Sequence, residues 1–200
     1  DGARMRDSTG FVLTDIVTGL QQTHAVWEKP IDWDDTHDEG WEIDEDEVDA
    51  ALREIESMYD VWRGNFDPPH WNSSVNRWAG DHEWVEAWYT NRTTPMAHAV
   101  KNYRAAMDVG EVEFAKDHPL DETFAKHMAA AGRLPVNVWD DDPEAREKGQ
   151  RLFILRKLHP DRKFDLAMAA ILSWEARIAA LAAGAQPTVK RRSTKVRRLR

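Results

Sequence analysis

Three aspartates, Asp1, Asp67 and Asp165, are the residues of this chain best suited to chemistry. Asp165 opens a stretch, residues 166–183, in which Ser173, Glu175 and Arg177 are the only polar residues. A helix apolar nearly all round is mostly buried, so an acid in its first turn needs a reason. One reason is capping: a carboxylate at a helix start accepts backbone N–H groups and contributes about 1 kcal/mol. The other is that further acids converge on it. Asp67 lies where an extended segment meets Pro68-Pro69. The residue before proline is held extended, and ligands of open α/β sheets gather at the carboxyl ends of strands. An ordinary Asp-Pro turn is the alternative. Asp1 precedes Gly2 and a polar stretch to Thr9, as an acid leaving a strand for a loop would. A frayed chain end is the alternative there. Carboxylates from separate elements are what two Mg²⁺ or Mn²⁺ ions, roughly 3.5–4 Å apart, require. Such a pair activates a water and stabilises the leaving 3′ oxygen of a phosphodiester. Without metal the acids would repel one another and hold protons more tightly.

The elements that must position these acids follow from the pattern of the chain. Residues 11–17 read as a strand, Gly19 as a turn, and residues 22–27 as the return strand of a hairpin. Residues 30–40 form an acidic, Trp-bearing loop. Asp44 starts a helix, with Glu47 completing an acidic variant of a capping box. Val48, Leu52, Ile55 and Tyr59 continue it at helical spacing. Residues 61–66 are a short strand ending at Asp67, 71–79 a short helix and 84–89 another strand. Pro95 stands in the first turn of a helix that reaches about Val109, with Gly110 as its stop. Residues 112–114 are a brief strand, 120–131 a helix and 134–139 extended. Residues 151–158 lead toward the site, and the last helix starts at Asp165. A hairpin followed by alternating strands and helices describes an α/β sheet of mixed direction. There is no internal repeat and no Gly-x-x-x-x-Gly-Lys-Ser/Thr nucleotide loop.

Composition narrows the function classes. Two hundred residues with 42% apolar content suffice for one domain with a real core, here residues 1–186, followed by a basic tail, 187–200, that predicts disorder. The ten Trp are expected as core or half-buried anchors. The absence of Cys excludes disulfides and thiolate zinc sites. No apolar run reaches the ~18 residues of a membrane span, and no signal-peptide pattern opens the chain. Without a starting Met, the chain reads as a fragment or a processed product. The net charge of −9 hides two opposed blocks. Residues 32–47 carry ten acids and no base; residues 187–200 carry seven bases and no acid. The remaining 20 bases face 36 acids. Such a body argues against broad electrostatic binding of nucleic acid and is compatible with carboxylates that hold divalent metal, whose charge compensates theirs.

Five pieces occur in one order: Asp1-Gly2-Ala3; Val26-Trp27-Glu28-Lys29-Pro30; Asp67-Pro68-Pro69-His70-Trp71; Thr90-Asn91-Arg92 with Pro95-Met96; and Lys163-Phe164-Asp165-Leu166-Ala167-Met168-Ala169. This ordered set resembles the C-terminal nuclease domain of the large terminase subunit of tailed bacteriophages, most of all actinobacteriophage versions. The resemblance spans residues 1–183. It implies a ribonuclease-H-like fold: a mixed sheet flanked by helices, with the first strand, which would run into Asp1, truncated. It implies a Mg²⁺- or Mn²⁺-dependent endonuclease, with two ions, that cuts concatemeric double-stranded viral DNA during genome packaging. By position, Asp1, Asp67 and Asp165 would be the metal-binding catalytic acids. The implied partners are double-stranded DNA, a packaging ATPase domain upstream in the full-length protein, the small terminase subunit and the portal. No membrane is implied, and the setting is the host cytoplasm at the procapsid. The alternatives are another ribonuclease-H-like nuclease of resolvase or integrase type, or a non-catalytic packaging or scaffold module.

Lesser candidates surround this set. Asp7, Asp161 and His159 would stand behind the metal-binding acids or add one more. His70 also flanks the site in sequence. Arg92, Arg162 and Lys163 would contact phosphates. Each has a plain alternative as a solvated or packing side chain. The basic tail is either an arm for DNA or a partner or a solubilising end.

Overall fold

The computed structural model describes residues 8–30, 33 and 40–186. Asp1, Asp7, most of the 30–40 acidic loop and the 187–200 tail lie outside them. The described chain is α/β. Strand β1 (Ser8–Thr14) turns at Gly19 into β2 (Leu20–Glu28). Gly19 has φ +74°, and a Cβ there would stand 2.0 Å from the Glu111 carbonyl oxygen, so only glycine serves. Helix α1 (Glu45–Met58) precedes β3 (Gly64–Phe66), α2 (Asn72–Asp81) and β4 (Val85–Ala87). Then come α3 (Thr93–Asp108), β5 (Glu113–Phe114), α4 (Asp121–Ala130), β6 (Ala131–Trp139), α5 (Pro143–Glu147), β7 (Arg151–Lys157) and α6 (Asp165–Ala182).

The described strands fall into three sheets. A mixed sheet has the order β1-β2-β5, antiparallel between β1 and β2 and parallel between β2 and β5. β3 and β4 form a parallel pair, and β6 and β7 an antiparallel hairpin. This differs from the single sheet of the sequence reading. Residues 151–158 hold strand β7, whose last residue, Lys157, lies 5.8 Å over the ring of Phe164, the neighbour of Asp165. Their strand β7 is taken up by β6, which follows α4 without a loop. The short helix α5 at the hairpin tip was not anticipated. Asp142 caps it by accepting from the Ala145 N–H.

Alternation along β1 decides where the core sits. Val12 joins one cluster with Met96, Val100 and Tyr103 of α3 and Leu166, Ile171 and Trp174 of α6. Its neighbour Phe11 points the other way, onto a second cluster of Val48, Leu52, Trp71, Val75 and Trp78. Helix α6 crosses the face that carries Ser8 and Gly10. A Cβ on Gly10 would stand 2.4 Å from Leu166 Cδ2, so this glycine permits the close approach of helix and strand. Thr14 shares a 2.7 Å hydrogen bond with Ser173, and Asn65 of β3 donates to the Leu172 carbonyl at 3.2 Å. One helix therefore packs against both β1 and β3. Trp71, Trp78 and Trp174 are buried, while Trp33, Trp62 and Trp139 are exposed. Among the described residues no helix is long and apolar enough to cross a membrane.

Candidate functional site

The start of β1, the end of β3 and the start of α6 meet at one edge of the fold. Asp165 is the first residue of α6 and only 5% exposed. It does not occupy the cap position. That residue is Phe164, and no side chain caps the helix there. The Asp165 carboxylate instead accepts a 2.5 Å hydrogen bond from the Ser8 hydroxyl, 157 residues earlier.

Asp67 follows β3 directly and is half-buried. The Thr90 backbone N–H donates to its Oδ1 at 3.1 Å and the Thr90 hydroxyl to its Oδ2 at 2.5 Å. The turn after β4 thus holds the carboxylate from two directions. Thr9 lines the same small cavity as Asp67, Trp71 and Trp78. Its Oγ1 is buried and has no hydrogen-bond partner among the described residues. Consecutive residues of β1 therefore reach the two acids: Ser8 bonds Asp165, and Thr9 shares the cavity of Asp67.

A second pair closes the site from the side. Ser8 lies opposite Glu28 in the β1–β2 register. Glu28 Oε1 stands 2.7 Å from His127 Nε2, and His127 Nδ1 accepts the Leu166 backbone N–H at 3.0 Å. Because Nδ1 is an acceptor, Nε2 carries the proton and donates to Glu28. This arrangement is not a Ser-His-acid triad. The hydroxyl of Ser8 goes to Asp165, and both ring nitrogens of His127 are already used. His127 instead anchors the first turn of α6. Its bond to Glu28 holds that carboxyl below the usual range, helped by the charges of Lys163 and Lys126 against the opposing effect of burial.

That depression has a pH consequence. A carboxyl whose folded pKa lies below its ordinary 4.5 contributes stability that is fully present above that value and is lost as pH falls through the folded pKa. Glu28→Gln keeps an oxygen for His127 but removes the titration. The wild-type melting temperature is expected to fall more steeply than that of Glu28→Gln as pH drops below 4.5. Parallel slopes in circular dichroism melts would show that the pair is not coupled to folding.

The remaining expected residues are distributed unevenly. Arg92 is exposed and stacks 4.6 Å over the Tyr89 ring, two residues from Thr90, and so lies close to Asp67 along the chain. Lys163 lies close enough to Glu28 to lower its pKa. Asp161 and His159 pair with each other at 3.3 Å, 88% and 63% exposed, on the turn before α6. Arg162 is exposed on the same turn. Asp1 and Asp7 lie outside the described residues. Among those described, no group of three or more Asp, Glu or His stands together as a metal cluster.

Sequence reasoning missed Ser8, Thr9, Thr90, Glu28 and His127 as parts of this site. Thr90 and Glu28 lie inside two of the ordered pieces quoted above. His127, set between Phe124 and Met128 on a half-apolar helix, carried only the weak signal of a lone polar residue on a packing face. Compared with protein-family models, curated proteins and solved structures, the chain matches none.

Proposed function

We propose that the chain is a ribonuclease-H-like, metal-dependent DNA endonuclease domain of the phage large-terminase type. The observation that carries this reading is the contact of Ser8 and Thr9, the first described residues after Asp1–Asp7, with Asp165 and with the cavity of Asp67. Two acids from elements nearly 100 residues apart in sequence flank the strand into which the third, Asp1, leads.

The donors fit hard divalent ions. Asp67 and Asp165 offer carboxylate oxygens, and Thr9, whose buried hydroxyl has no hydrogen-bond partner among the described residues, lines the same small cavity as Asp67. All-oxygen donor sets suit Mg²⁺ and Mn²⁺ rather than softer metals. When bound, such ions supply an activated water and neutralise charge on the leaving 3′ oxygen. The chain's own residues orient and bind. Ser8 and Thr90 aim the two carboxylates, His127 fixes the turn that carries Asp165, and Arg92 is preorganised by Tyr89 to meet a phosphate. The acidic body then depends on metal to tolerate DNA.

The test is relaxation of supercoiled plasmid by the purified chain in Mn²⁺ or Mg²⁺, with EDTA as control. Metal-dependent nicking supports the reading. A preference for branched over linear duplex would move it to the resolvase type. Absence of nicking in either metal would leave a non-catalytic packaging module. Metal binding should also stabilise the fold. At about 100 times the dissociation constant, a ligand specific for the folded state adds roughly 2.7 kcal/mol. For a domain of this size that raises the melting temperature by about 5–10 °C. No shift in millimolar Mn²⁺ would count against a carboxylate site.

A further inference from the structure

Strands β6 and β7 carry Arg133, Arg151, Arg156 and Lys157 and no acid, in a body whose acids outnumber its bases. Alternation and register sort these bases onto faces. Arg151, Phe153, Leu155 and Lys157 share one face of β7. Arg133 lies opposite Leu155 and Trp139 opposite Arg151, so both join that face. Each cation there lies over an aromatic ring. Arg151 stands 4.8 Å from the Trp139 centroid, Arg133 5.0 Å from that of Phe153, and Lys157 5.8 Å from that of Phe164. Arg104 of α3 approaches Phe153 as well, at 5.9 Å. Among the described residues neither Arg133 nor Arg151 has an ion pair, and both are exposed. The acids at the hairpin tip are engaged elsewhere. Asp140 and Asp141 hold Lys101, Asp142 caps α5, and Glu144 pairs with Lys148.

We propose that this face of the β6–β7 hairpin binds the phosphate backbone of duplex DNA and leads it to the edge where Asp165 stands. A guanidinium held over a ring has its position fixed without using its N–H donors, which a salt bridge would occupy. Arg133 and Arg151 therefore present charge and hydrogen-bond donors already placed for phosphate. Measured along the strands at about 3.3 Å per residue, Arg133 lies roughly 7 Å and Arg151 roughly 20 Å from Lys157. Duplex DNA carries one negative charge per about 1.7 Å of its axis, so a straight row of cations this long meets phosphate along its length. An acidic peptide would have to be ordered to do the same.

The row also has a direction. Lys157, over Phe164, brings one end of it beside Asp165, and Arg162 and Lys163 lie in the segment between β7 and α6. A duplex that follows the row reaches the acids. The acidic body elsewhere repels the duplex and so confines it to this face. The choice of duplex DNA rests on the nuclease reading; the existence of the cationic face does not.

Anisotropy of a short labelled duplex in EDTA reads binding without cutting. The full chain is compared with Arg133→Gln/Arg151→Gln and with Arg53→Gln/Lys116→Gln, which removes the same charge from exposed positions on α1 and after β5. The hairpin pair is expected to weaken binding roughly tenfold at low salt and to lower the slope of log affinity against log salt by about 2. The control pair should leave that slope unchanged, and Arg133→Lys/Arg151→Lys should keep it. If the double glutamine variant melts early in circular dichroism, the single variants carry the test, each lowering the slope by about 1. Equal losses from the two pairs, or no loss from the hairpin pair, overturn the proposal. Displacement of the duplex by poly-glutamate at equal charge overturns the choice of DNA. Arginine-dependent binding without nicking in Mn²⁺ leaves the face standing and removes the nuclease reading. Nicking with binding unchanged in the hairpin pair does the reverse.

Discussion

Asp165→Asn is expected to remove the Mn²⁺-dependent nicking of the proposed endonuclease while leaving the fold intact. An asparagine oxygen can still accept the Ser8 hydroxyl, which is 2.5 Å from the carboxylate in the wild type, so the change isolates the charge. Asp165→Ala removes both. It leaves the Ser8 hydroxyl, with Ser8 fully buried, without its carboxylate partner. An unsatisfied buried donor costs about 1–3 kcal/mol. The alanine variant should therefore be inactive and less stable, the asparagine variant inactive at near wild-type stability. Groups that merely orient a metal's ligands are worth about 10–100-fold in affinity or activity, so loss of a ligand itself should cost at least the upper end of that range. Asp67→Asn should behave likewise, because the two Thr90 bonds need only an acceptor oxygen. Plasmid nicking paired with thermal melts reads both quantities. An active, folded Asp165→Asn variant would remove Asp165 from the metal site.

Trp174→Ala is expected to produce the largest loss of stability of any single truncation in α6. Trp174 is 2% exposed in the cluster shared by β1, α3 and α6. Its ring meets Tyr103 edge-on with centroids 6.3 Å apart, and the Arg177 guanidinium lies 4.5 Å over it. Tyr103 in turn donates to Gln21 at 2.6 Å, and Gln21 donates to the Ala170 carbonyl at 2.9 Å and to Thr14 at 3.0 Å. Burial pushes the Tyr103 hydroxyl well above its ordinary pKa of 10, so it stays protonated and a donor. Loss of the indole opens a cavity beside this buried polar chain. Truncating a buried Trp costs about 3–5 kcal/mol, a large part of the 5–15 kcal/mol that holds a typical domain together. Urea unfolding should show it as a lower midpoint. Trp139→Ala is the control. Trp139 is 44% exposed and stacks under Arg151, so its loss should cost less than about 1 kcal/mol. Equal losses in the two variants would mean that α6 is not the organising helix.

Helix starts and strand ends were legible where the signal is local. Asp44 caps α1 as its position suggests, accepting the Asp46 N–H at 2.8 Å. Glu47 does not return to the cap as a capping box would have it. It accepts the Trp27 indole N–H at 3.0 Å, a partner 20 residues away that no local pattern can reveal. Gly110 ends α3 with φ +76°, as its place after an apolar helical run implies. The ends of β1 were misplaced because its first residues, Ser8-Thr9-Gly10, are polar or small. They are buried against α6 and the second cluster, and burial overrides their weak strand preference.

By itself the sequence determined that an acid opens a buried helix and that another ends a strand before Pro-Pro. It also determined that the body is acidic, with no Walker nucleotide loop and no thiolate chemistry. These are statements about single residues, short periods and totals, which the chain carries locally. The tertiary structure decided the rest. It made Asp165 the acceptor of the Ser8 hydroxyl, tied Glu28 through His127 to the first turn of α6, and left an unpaired groove between β1 and β3. Each of these joins groups tens to more than a hundred residues apart. Such contacts form only when burial of the apolar faces of β1 and α6 brings their polar ends together, and no local periodicity encodes which polar ends will meet.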